Sequence, residues 1–170
     1  MRRALVFVFW LSLAGTGCAS SGPPGSPSGS AGSEAMISVE RFLQASNRGD
    51  LTDMARIFGT ARGPIADQTG NTLSCGFQRI GSWLRMGQPC LSWAEIELRM
   101  NTIAMILRHD DYDLRSESSV AGRTRPTTRV GVDLAIGSER ITDVPFVAVQ
   151  GSGGNWYLEE IGLERITNPR

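Results

Sequence analysis

The chain has 170 residues, of which 41% are hydrophobic and 20% are charged. This composition excludes a wholly disordered chain, and the length is sufficient for one domain with a hydrophobic core. Basic and acidic residues balance at 17 each, which argues against nucleic-acid binding because phosphate neutralisation requires a basic surplus. All 17 basic residues are arginine, so mechanisms that depend on lysine, such as a Schiff base, are excluded.

Residues 1–17 have the three parts of an export signal. Arg2 and Arg3 precede an apolar run over residues 4–14, which is too short to span a bilayer and has the length of the hydrophobic part of a secretory signal. Small residues follow and lead into Cys18. We therefore expect residues 1–17 to be a signal peptide and the mature chain to be exported.

The sequence Gly15-Thr16-Gly17-Cys18 resembles the bacterial lipobox, in which the cysteine is diacylated and becomes the new N-terminus after cleavage. The leucine that usually stands three residues before the cysteine is replaced here by Gly15. Ala19 follows the cysteine, where lipoproteins of the inner membrane often carry Asp. The resemblance implies a palmitate-bearing Cys18 that anchors the protein facing the periplasm, with the outer membrane favoured over the inner. Ordinary secretory cleavage near Cys18 is the alternative.

Residues 19–33 contain only Ala, Ser, Gly and Pro, so together with Cys18 they form a predicted linker over residues 18–33. Such a stretch buries too little apolar surface to offset its chain entropy, and its rms reach is roughly 20 Å. Removal of residues 1–17 leaves the chain slightly acidic, because two of the 17 arginines are lost. We therefore expect acyl chains, rather than the overall charge, to attach the protein to the membrane.

Three helices with clear start signals are predicted next. Ser33 caps the first helix, Gly49 ends it, and Asp50 caps a short second helix after a tight turn. Ser92 and Glu95 form a capping-box pattern at the start of the third helix. The apolar residues of each segment recur at helical spacing, so each helix has one face for a core.

After residue 110 the apolar residues alternate, which predicts strands instead of helices. The predicted strands lie at residues 112–120, 130–136, 144–149 and from 156 onward. The Gly-rich sequence at residues 151–155 predicts a hairpin between the last two strands. A bulge near Glu159 or Glu160 would curve the sheet and bring the apolar residues of the last strand to one face. These residues are Trp156, Leu158, Ile161 and Leu163.

Helices followed by strands predict an α+β fold, with N-terminal helices packed on a curved, mainly antiparallel sheet in a single domain over residues 34–168. Two segments, FLQASNRGDL (residues 42–51) and NWYLEEI (residues 155–161), carry a family resemblance. They resemble the helix, Gly-Asp, helix opening and the final strand of the NTF2-like superfamily, the cone-shaped fold shared with ketosteroid isomerase and SnoaL-like cyclases. The resemblance covers most of residues 36–167 and implies the fold, since neither segment carries a catalytic residue.

Residues 60–91 depart from the NTF2-like pattern and are interpreted as an insertion. Cys75 and Cys90 lie within it, and in an exported protein two such cysteines most simply form a disulfide. Closing a loop of that size would stabilise the fold by about 3 kcal/mol. Two free buried thiols are the alternative to a disulfide. A structural zinc site is disfavoured, because zinc usually takes about four cysteine or histidine ligands and the chain contains a single histidine.

Between these cysteines the chain carries aromatic, methionine and arginine side chains, which are the types enriched in the cores of protein interfaces. Their spacing predicts a short amphipathic helix. This helix either caps the open end of the cone or forms a docking surface for a partner. The candidate interface residues are Phe77, Arg79, Ile80, Trp83, Arg85 and Met86.

The sequence His109-Asp110-Asp111-Tyr112 has acid–base potential, because a histidine beside carboxylates can act as a general base. Its position at the end of a helix favours a structural role, and four consecutive residues rarely converge on one substrate. Isomerases of the NTF2-like superfamily use an Asp base with a Tyr and a protonated Asp in an apolar pocket, but no position here matches those roles. We therefore expect no catalytic residue, no metal and no cofactor.

Two functions remain open. The first is a non-catalytic, lipid-anchored envelope domain that docks onto a membrane-associated protein complex or binds an apolar ligand. The second is a small-molecule isomerase or hydratase that uses the cone pocket, which rests on the fold resemblance alone. A homodimer formed through the sheet is a further open alternative. A polar pocket with a shifted carboxylate would favour the enzyme, whereas an interior filled by its own side chains would favour the docking domain.

Overall fold

The computed structural model describes residues 33–68 and 91–168. The chain divides into two units, Met1–Ala31 and Gly32–Arg170, and all of the described residues belong to the second unit. The predicted signal peptide, nearly all of the predicted linker and most of the predicted insertion (residues 69–90) lie outside the described residues. They stay predictions.

Four α-helices and one 3-10 helix are present in the described residues. They are α1 (Glu34–Arg48), α2 (Leu51–Ile57), the 3-10 helix (Ile65–Gln68), α3 (Trp93–Ile106) and α4 (Glu164–Thr167). Ser33 caps α1, because its hydroxyl accepts the Met36 N–H at 3.2 Å, and Gly49 ends α1 at a left-handed φ of 67°. The Asp50 carboxylate accepts the Asp53 N–H at 2.9 Å and starts α2. The predicted caps and turn are confirmed.

The capping box predicted for α3 is also confirmed. The Ser92 N–H donates to the Glu95 carboxylate at 2.9 Å, and the Glu95 N–H donates back to the Ser92 hydroxyl at 3.3 Å. Farther along α3, Met100 is buried, whereas Leu98 and Met105 are 67% and 65% exposed. α3 therefore carries large apolar side chains on its outer face as well as on its inner face.

The described strands form two antiparallel sheets. The small sheet pairs β1 (Gly59–Thr60) with β2 (Gly63–Pro64). The main sheet contains β3 (Asp111–Ser119), β4 (Thr127–Ile136), β5 (Glu139–Gln150) and β6 (Trp156–Ile161), which lie side by side in chain order. Because α1, α2 and α3 precede this antiparallel sheet, the predicted α+β class is confirmed.

Three β-bulges interrupt the main sheet. An extra residue stands in β3 at Arg115 and in β6 at Glu159, and the third register shift lies in β5 beside Asp143. The extra residue at Glu159 confirms the bulge predicted near Glu159 or Glu160. A bulge bends its strand and increases the local twist, so the three together curve the sheet.

The bulge in β6 brings most of its apolar residues toward the core, as predicted. Leu158 is fully buried, and Ile161 and Leu163 pack partly buried against the core. Trp156 differs from the prediction, because it is only half-buried and stands outside the core cluster. It is the first residue of β6, and its carbonyl accepts the Ser38 hydroxyl of α1 at 3.1 Å.

The core combines side chains from α1, α2 and α3 with those on the inner face of the main sheet. Its largest fully buried members are Phe42, Leu43, Met54, Ile96, Met100, Leu107, Leu134, Phe146 and Leu158. Residues 60–68, the start of the predicted insertion, also pack here, because Ile65 is buried in the same cluster. The described part of residues 60–91 is thus continuous with the core of the domain.

Candidate functional site

Apolar side chains fill the space between the helices and the inner face of the main sheet. Within this core the rings of Phe42 and Phe58 pack with their centroids 6.0 Å apart. Among the described residues, the buried polar or charged residues are Ser46, His109, Thr127, Thr128 and Asp133. The two ionisable ones, His109 and Asp133, are each held by structural contacts.

His109 has 7% of its surface exposed and is held by its neighbours. Its Nδ1 lies 2.7 Å from the Leu107 carbonyl oxygen, and its ring meets the Tyr112 ring edge-on at 5.4 Å between centroids. The Asn47 amide donates to the His109 carbonyl at 2.9 Å and accepts its N–H at 3.2 Å. His109 therefore joins α1 to the segment after α3. Because the Leu107 carbonyl can only accept, Nδ1 carries the proton and Nε2, which has no hydrogen-bond partner in the described part of the chain, keeps its lone pair. His109 is absent from the linings of the two depressions described below.

The two aspartates of the predicted acid–base cluster do not complete a site with this histidine. The Asp110 carboxylate accepts the Gly137 N–H at 2.7 Å and so fixes the turn between β4 and β5. The side chain of Asp111 is exposed at the start of β3. Residues 109–112 therefore do not converge on one reacting atom, which agrees with the structural role favoured by the sequence.

Tyr112, the last residue of the predicted cluster, is bonded to α1. Its hydroxyl donates to the Glu40 carboxylate at 3.2 Å and accepts the Gln44 side-chain N–H at 3.1 Å. Partial burial, with the nearby Glu40 charge as a further cause, raises the pKa of Tyr112 above its usual value of 10.0. Tyr112 is therefore a neutral link between β3 and α1 at physiological pH.

Asp133 is a buried charge that was not among the sequence candidates. It stands in β4 between Val132 and Leu134, which face the core, so its side chain lies on the outer face of the sheet. Its carboxylate accepts the Asp143 N–H at 2.9 Å and the Arg115 Nε–H at 3.0 Å. The Asp143 N–H, supported by Arg115, lowers the pKa of Asp133 below its usual value of 3.8.

Both partners of Asp133 stand at bulges. Arg115 is the extra residue of β3, and Asp143 has a φ of 54°, which is rare outside glycine. Gly131 lies on the same face, where an added Cβ would stand 2.6 Å from the Ser116 hydroxyl and from the Asp143 carboxylate. The centre of the outer face is thus a crowded polar network that joins three strands. The sequence signal for this buried charge was the single aspartate inside the otherwise apolar run VGVDLAI at residues 130–136.

Two surface depressions are open to ligands. A groove of about 900 Å³ lies between α1, α2 and the β5–β6 hairpin, with Ile37, Arg41, Arg56 and Trp156 in its lining. A polar depression of about 690 Å³ lies between the start of β5 and α4. Both combine residues that are distant in sequence, so no single segment could have predicted them.

The outer face of α3 is the second notable surface. Leu98 and Met105 stand seven residues apart, which places them on one side of the helix, and Trp93 at its start is 41% exposed. Large apolar side chains exposed together mark binding surfaces more often than isolated ones do. This helix follows residues 69–90 directly in the chain.

The comparisons with known proteins leave function to be argued from these side chains. A scan against protein-family models gave no match, and neither did a search of curated proteins. Within residues 33–68 and 91–168, no cluster of three or more His, Cys, Asp or Glu side chains could hold a metal ion. No helix in those ranges has the length and apolar character needed to cross a bilayer.

The remaining sequence candidates lie outside the described residues. They are the lipidation site Cys18, the disulfide Cys75–Cys90 and the interface candidates Phe77, Arg79, Ile80, Trp83, Arg85 and Met86. Each stays a prediction.

Proposed function

We propose that this chain is a non-catalytic, lipid-anchored domain of the bacterial envelope that docks onto a membrane-associated protein complex. Cys18 carries the lipid, residues 19–33 form the tether, and a domain of NTF2-like type faces the periplasm, with the outer membrane favoured. The order of elements supports this type of fold, since two helices joined at Gly49 precede a bulged antiparallel sheet. An apolar ligand is the alternative occupant of the docking surface.

The observation that carries the proposal is the filled interior. Phe42, Leu134 and Phe146 are fully buried between the helices and the sheet, which is the space where the resemblance to the NTF2-like superfamily would place a substrate pocket. An isomerase or hydratase needs an acid or base positioned beside a cavity. The described residues place neither there, because Asp133 lies on the outer face and His109 is held at a helix junction. Binding at the surface is what remains.

The outer face of α3 supports docking as the form of that binding. Leu98 and Met105 expose most of their apolar surface, and the chain segment just before α3 contains the interface candidates Phe77 and Trp83. Tryptophan and methionine are enriched at interface cores, where a few residues supply most of the affinity. We define the α3 docking surface as the exposed side chains of Leu98 and Met105, which share one side of the helix.

The anchor is tested by metabolic labelling with a palmitate analogue. Wild-type protein should take up the label and sediment with membranes, and the Cys18→Ala variant should do neither. Equal labelling of the two proteins, or a wild-type protein found wholly in the soluble periplasmic fraction, would contradict the anchor.

Docking is tested by photo-crosslinking in intact cells. A benzoylphenylalanine at Leu98 should give one discrete protein adduct, because this position stands on the α3 docking surface. The same probe at Glu139, which is exposed at the start of β5, serves as the matched control and should give none. Identical adduct patterns from both positions would contradict docking through α3.

A further inference from the structure

The groove between α1, α2 and the β5–β6 hairpin has a mainly polar and charged lining that also contains a few large apolar and aromatic side chains. It measures about 900 Å³ and includes the side chains of Ile37, Trp156 and Tyr157. Ile37 is 43% exposed although it is a large hydrophobic residue, and both aromatic residues are half-buried. Tryptophan and tyrosine join an apolar body to a polar tip, which suits them to the boundary between water and lipid.

Charges of both signs line the groove, and of Glu34, Arg41, Asp53 and Arg56 only Asp53 forms an ion pair within the described ranges. Arg41 on α1 and Arg56 on α2 line it, and neither guanidinium forms an ion pair with any other described residue. Arg48 differs, because it pairs with Asp53 at 3.7 Å. The Glu34 carboxylate, which also lines the groove, has no ion-pair partner in the described ranges either. A ligand that carries an anion and a cation complements this lining better than a simple anion does.

The groove lies where the chain enters the folded domain. Glu34 and Ile37 belong to the first turn of α1, directly after Ser33. Ser33 is fixed in place, because its hydroxyl donates to the Glu117 carboxylate of β3 at 2.6 Å. A tether with a reach of roughly 20 Å would therefore keep the groove close to a membrane that holds Cys18.

We propose that this groove binds the headgroup of a zwitterionic phospholipid of the ethanolamine type. Guanidinium groups bind phosphate through paired N–H donors, so Arg41 and Arg56 meet the phosphate and Glu34 meets the ammonium. Ile37 and Trp156 contact the glycerol and the first methylene groups. The slightly acidic overall charge does not oppose this contact, because the contact depends on the local arrangement of Arg41, Arg56 and Glu34, while the fourth charge of the groove, Asp53, is paired with Arg48. This proposal rests on the proposed function in one respect, since the lipid anchor at Cys18 is what brings the groove to the membrane.

The test is photo-crosslinking of the full-length protein in nanodiscs that contain phosphatidylethanolamine and phosphatidylglycerol in equal amounts. Benzoylphenylalanine is placed at Asn155, an exposed residue in the turn at the groove. The control position is Glu139, at the opposite end of the 12-residue strand β5 and roughly 35–40 Å away along it. Intact mass identifies the lipid in each adduct. Co-elution with the discs reports the anchor separately, and if Cys18 carries no lipid its thiol is coupled to a maleimide lipid instead.

We expect phosphatidylethanolamine adducts from position 155 in several-fold excess over phosphatidylglycerol adducts, and none from position 139. The double variant Arg41→Gln/Arg56→Gln should lower the yield at least tenfold, whereas Arg99→Gln, on α3, should leave it unchanged. Glu34→Gln should remove the preference for phosphatidylethanolamine. Equal yields from the two positions, equal yields of the two lipids, or a yield unaffected by the double variant would overturn the proposal. Thermal melting checks that each variant folds.

Discussion

The two faces of β4 show how one strand serves two different purposes. On the inner face, Val130, Val132 and Leu134 are completely buried in an apolar core. On the outer face, Gly131 and Asp133 are buried as well, but by polar groups from the neighbouring strands. Alternation along a strand separates these environments residue by residue. Burial alone therefore does not identify a reactive site in this protein.

The two faces of β4 also differ in the ionisable groups that they bury. The residues that β4 buries on its inner face, Val130, Val132 and Leu134, carry no ionisable group, whereas on the outer face Asp133 is an ionised carboxylate whose oxygens are both occupied. A general base needs a free lone pair directed at a substrate. The described residues of β4 supply no such lone pair, and our proposals concern the α3 docking surface and the groove beside α1.

Removing a large side chain from the inner face should have the largest effect. Phe146→Ala, in β5, should lower the free energy of unfolding by about 3–5 kcal/mol, because it leaves a cavity in the apolar core. Urea denaturation measures the loss. Thr142→Ala, at an exposed position of the same strand, is the control and should change stability by less than about 0.5 kcal/mol. A small loss for Phe146→Ala would mean that the interior is loosely packed and open to a ligand.

A disulfide between Cys75 and Cys90 would stabilise the protein independently of the two faces of β4. Non-reducing mass spectrometry should find the mature protein two protons lighter than the dithiol. Reduction should then cost about 3 kcal/mol, which is the loop-closure entropy that the link removes from the unfolded chain. Complete alkylation of both thiols without a reductant would contradict the link.

On the outer face, Asp133→Asn should cost about 1–3 kcal/mol, since it removes the charge from a buried hydrogen-bonded carboxylate. Asp113→Asn is the matched control, because Asp113 contacts the same Arg115 at 3.2 Å but is 47% exposed. Its cost should stay below about 1 kcal/mol. Equal losses of unfolding free energy for the two variants would show that the burial of Asp133 does not strengthen its hydrogen bonds.

The Asp133 effect should also depend on pH in a defined direction. The pKa of Asp133 is lowered in the folded protein, so its contribution is complete above the unfolded value near 3.8 and is lost as the pH falls toward the folded value. The stability gap between wild type and Asp133→Asn should therefore narrow below about pH 4. A gap that stays constant down to the acid transition would rule out the charge as its cause.

The smallest effect is expected at Tyr112, where the sheet meets α1. Tyr112→Phe should cost less than about 1 kcal/mol at neutral pH, because its partners Glu40 and Gln44 are close to solvent. The pKa of Tyr112 is raised, so wild-type stability should fall as the pH rises above 10.0, and the variant should lack that part of the fall. Unfolding curves measured from about pH 9 to 11 show this difference clearly, because the chain has no lysine and so no lysine titration overlaps that of tyrosine.

Local signals predicted the helical half of the fold and the hairpin of the last strands. The cap residues Ser33, Asp50 and Ser92 bond to backbone groups within a few residues, so the sequence order alone reveals them. The bulge at Glu159 was predictable for a similar reason. Apolar residues on both sides of it change parity, and only an extra residue restores one face.

Contacts between distant residues escaped prediction. The Asp133 carboxylate accepts hydrogen bonds from Arg115 and from the Asp143 N–H, and both donors stand at bulges, one in β3 and one in β5. The alternation of apolar residues in the sequence does not show where these bulges shift the pairing of the strands. The half-buried position of Trp156 was missed because it depends on where α1 crosses the sheet. The groove beside α1 draws its lining from α1, α2 and the β5–β6 hairpin, so it exists only after folding.

The most direct test of docking is native mass spectrometry of the lipidated protein, crosslinked and purified from its own membranes. We expect one protein partner in a fixed ratio, and Trp83→Ala should weaken its retention by at least about 2 kcal/mol while leaving the Tm nearly unchanged. Recovery of the protein alone with a small molecule bound in its interior would contradict the account.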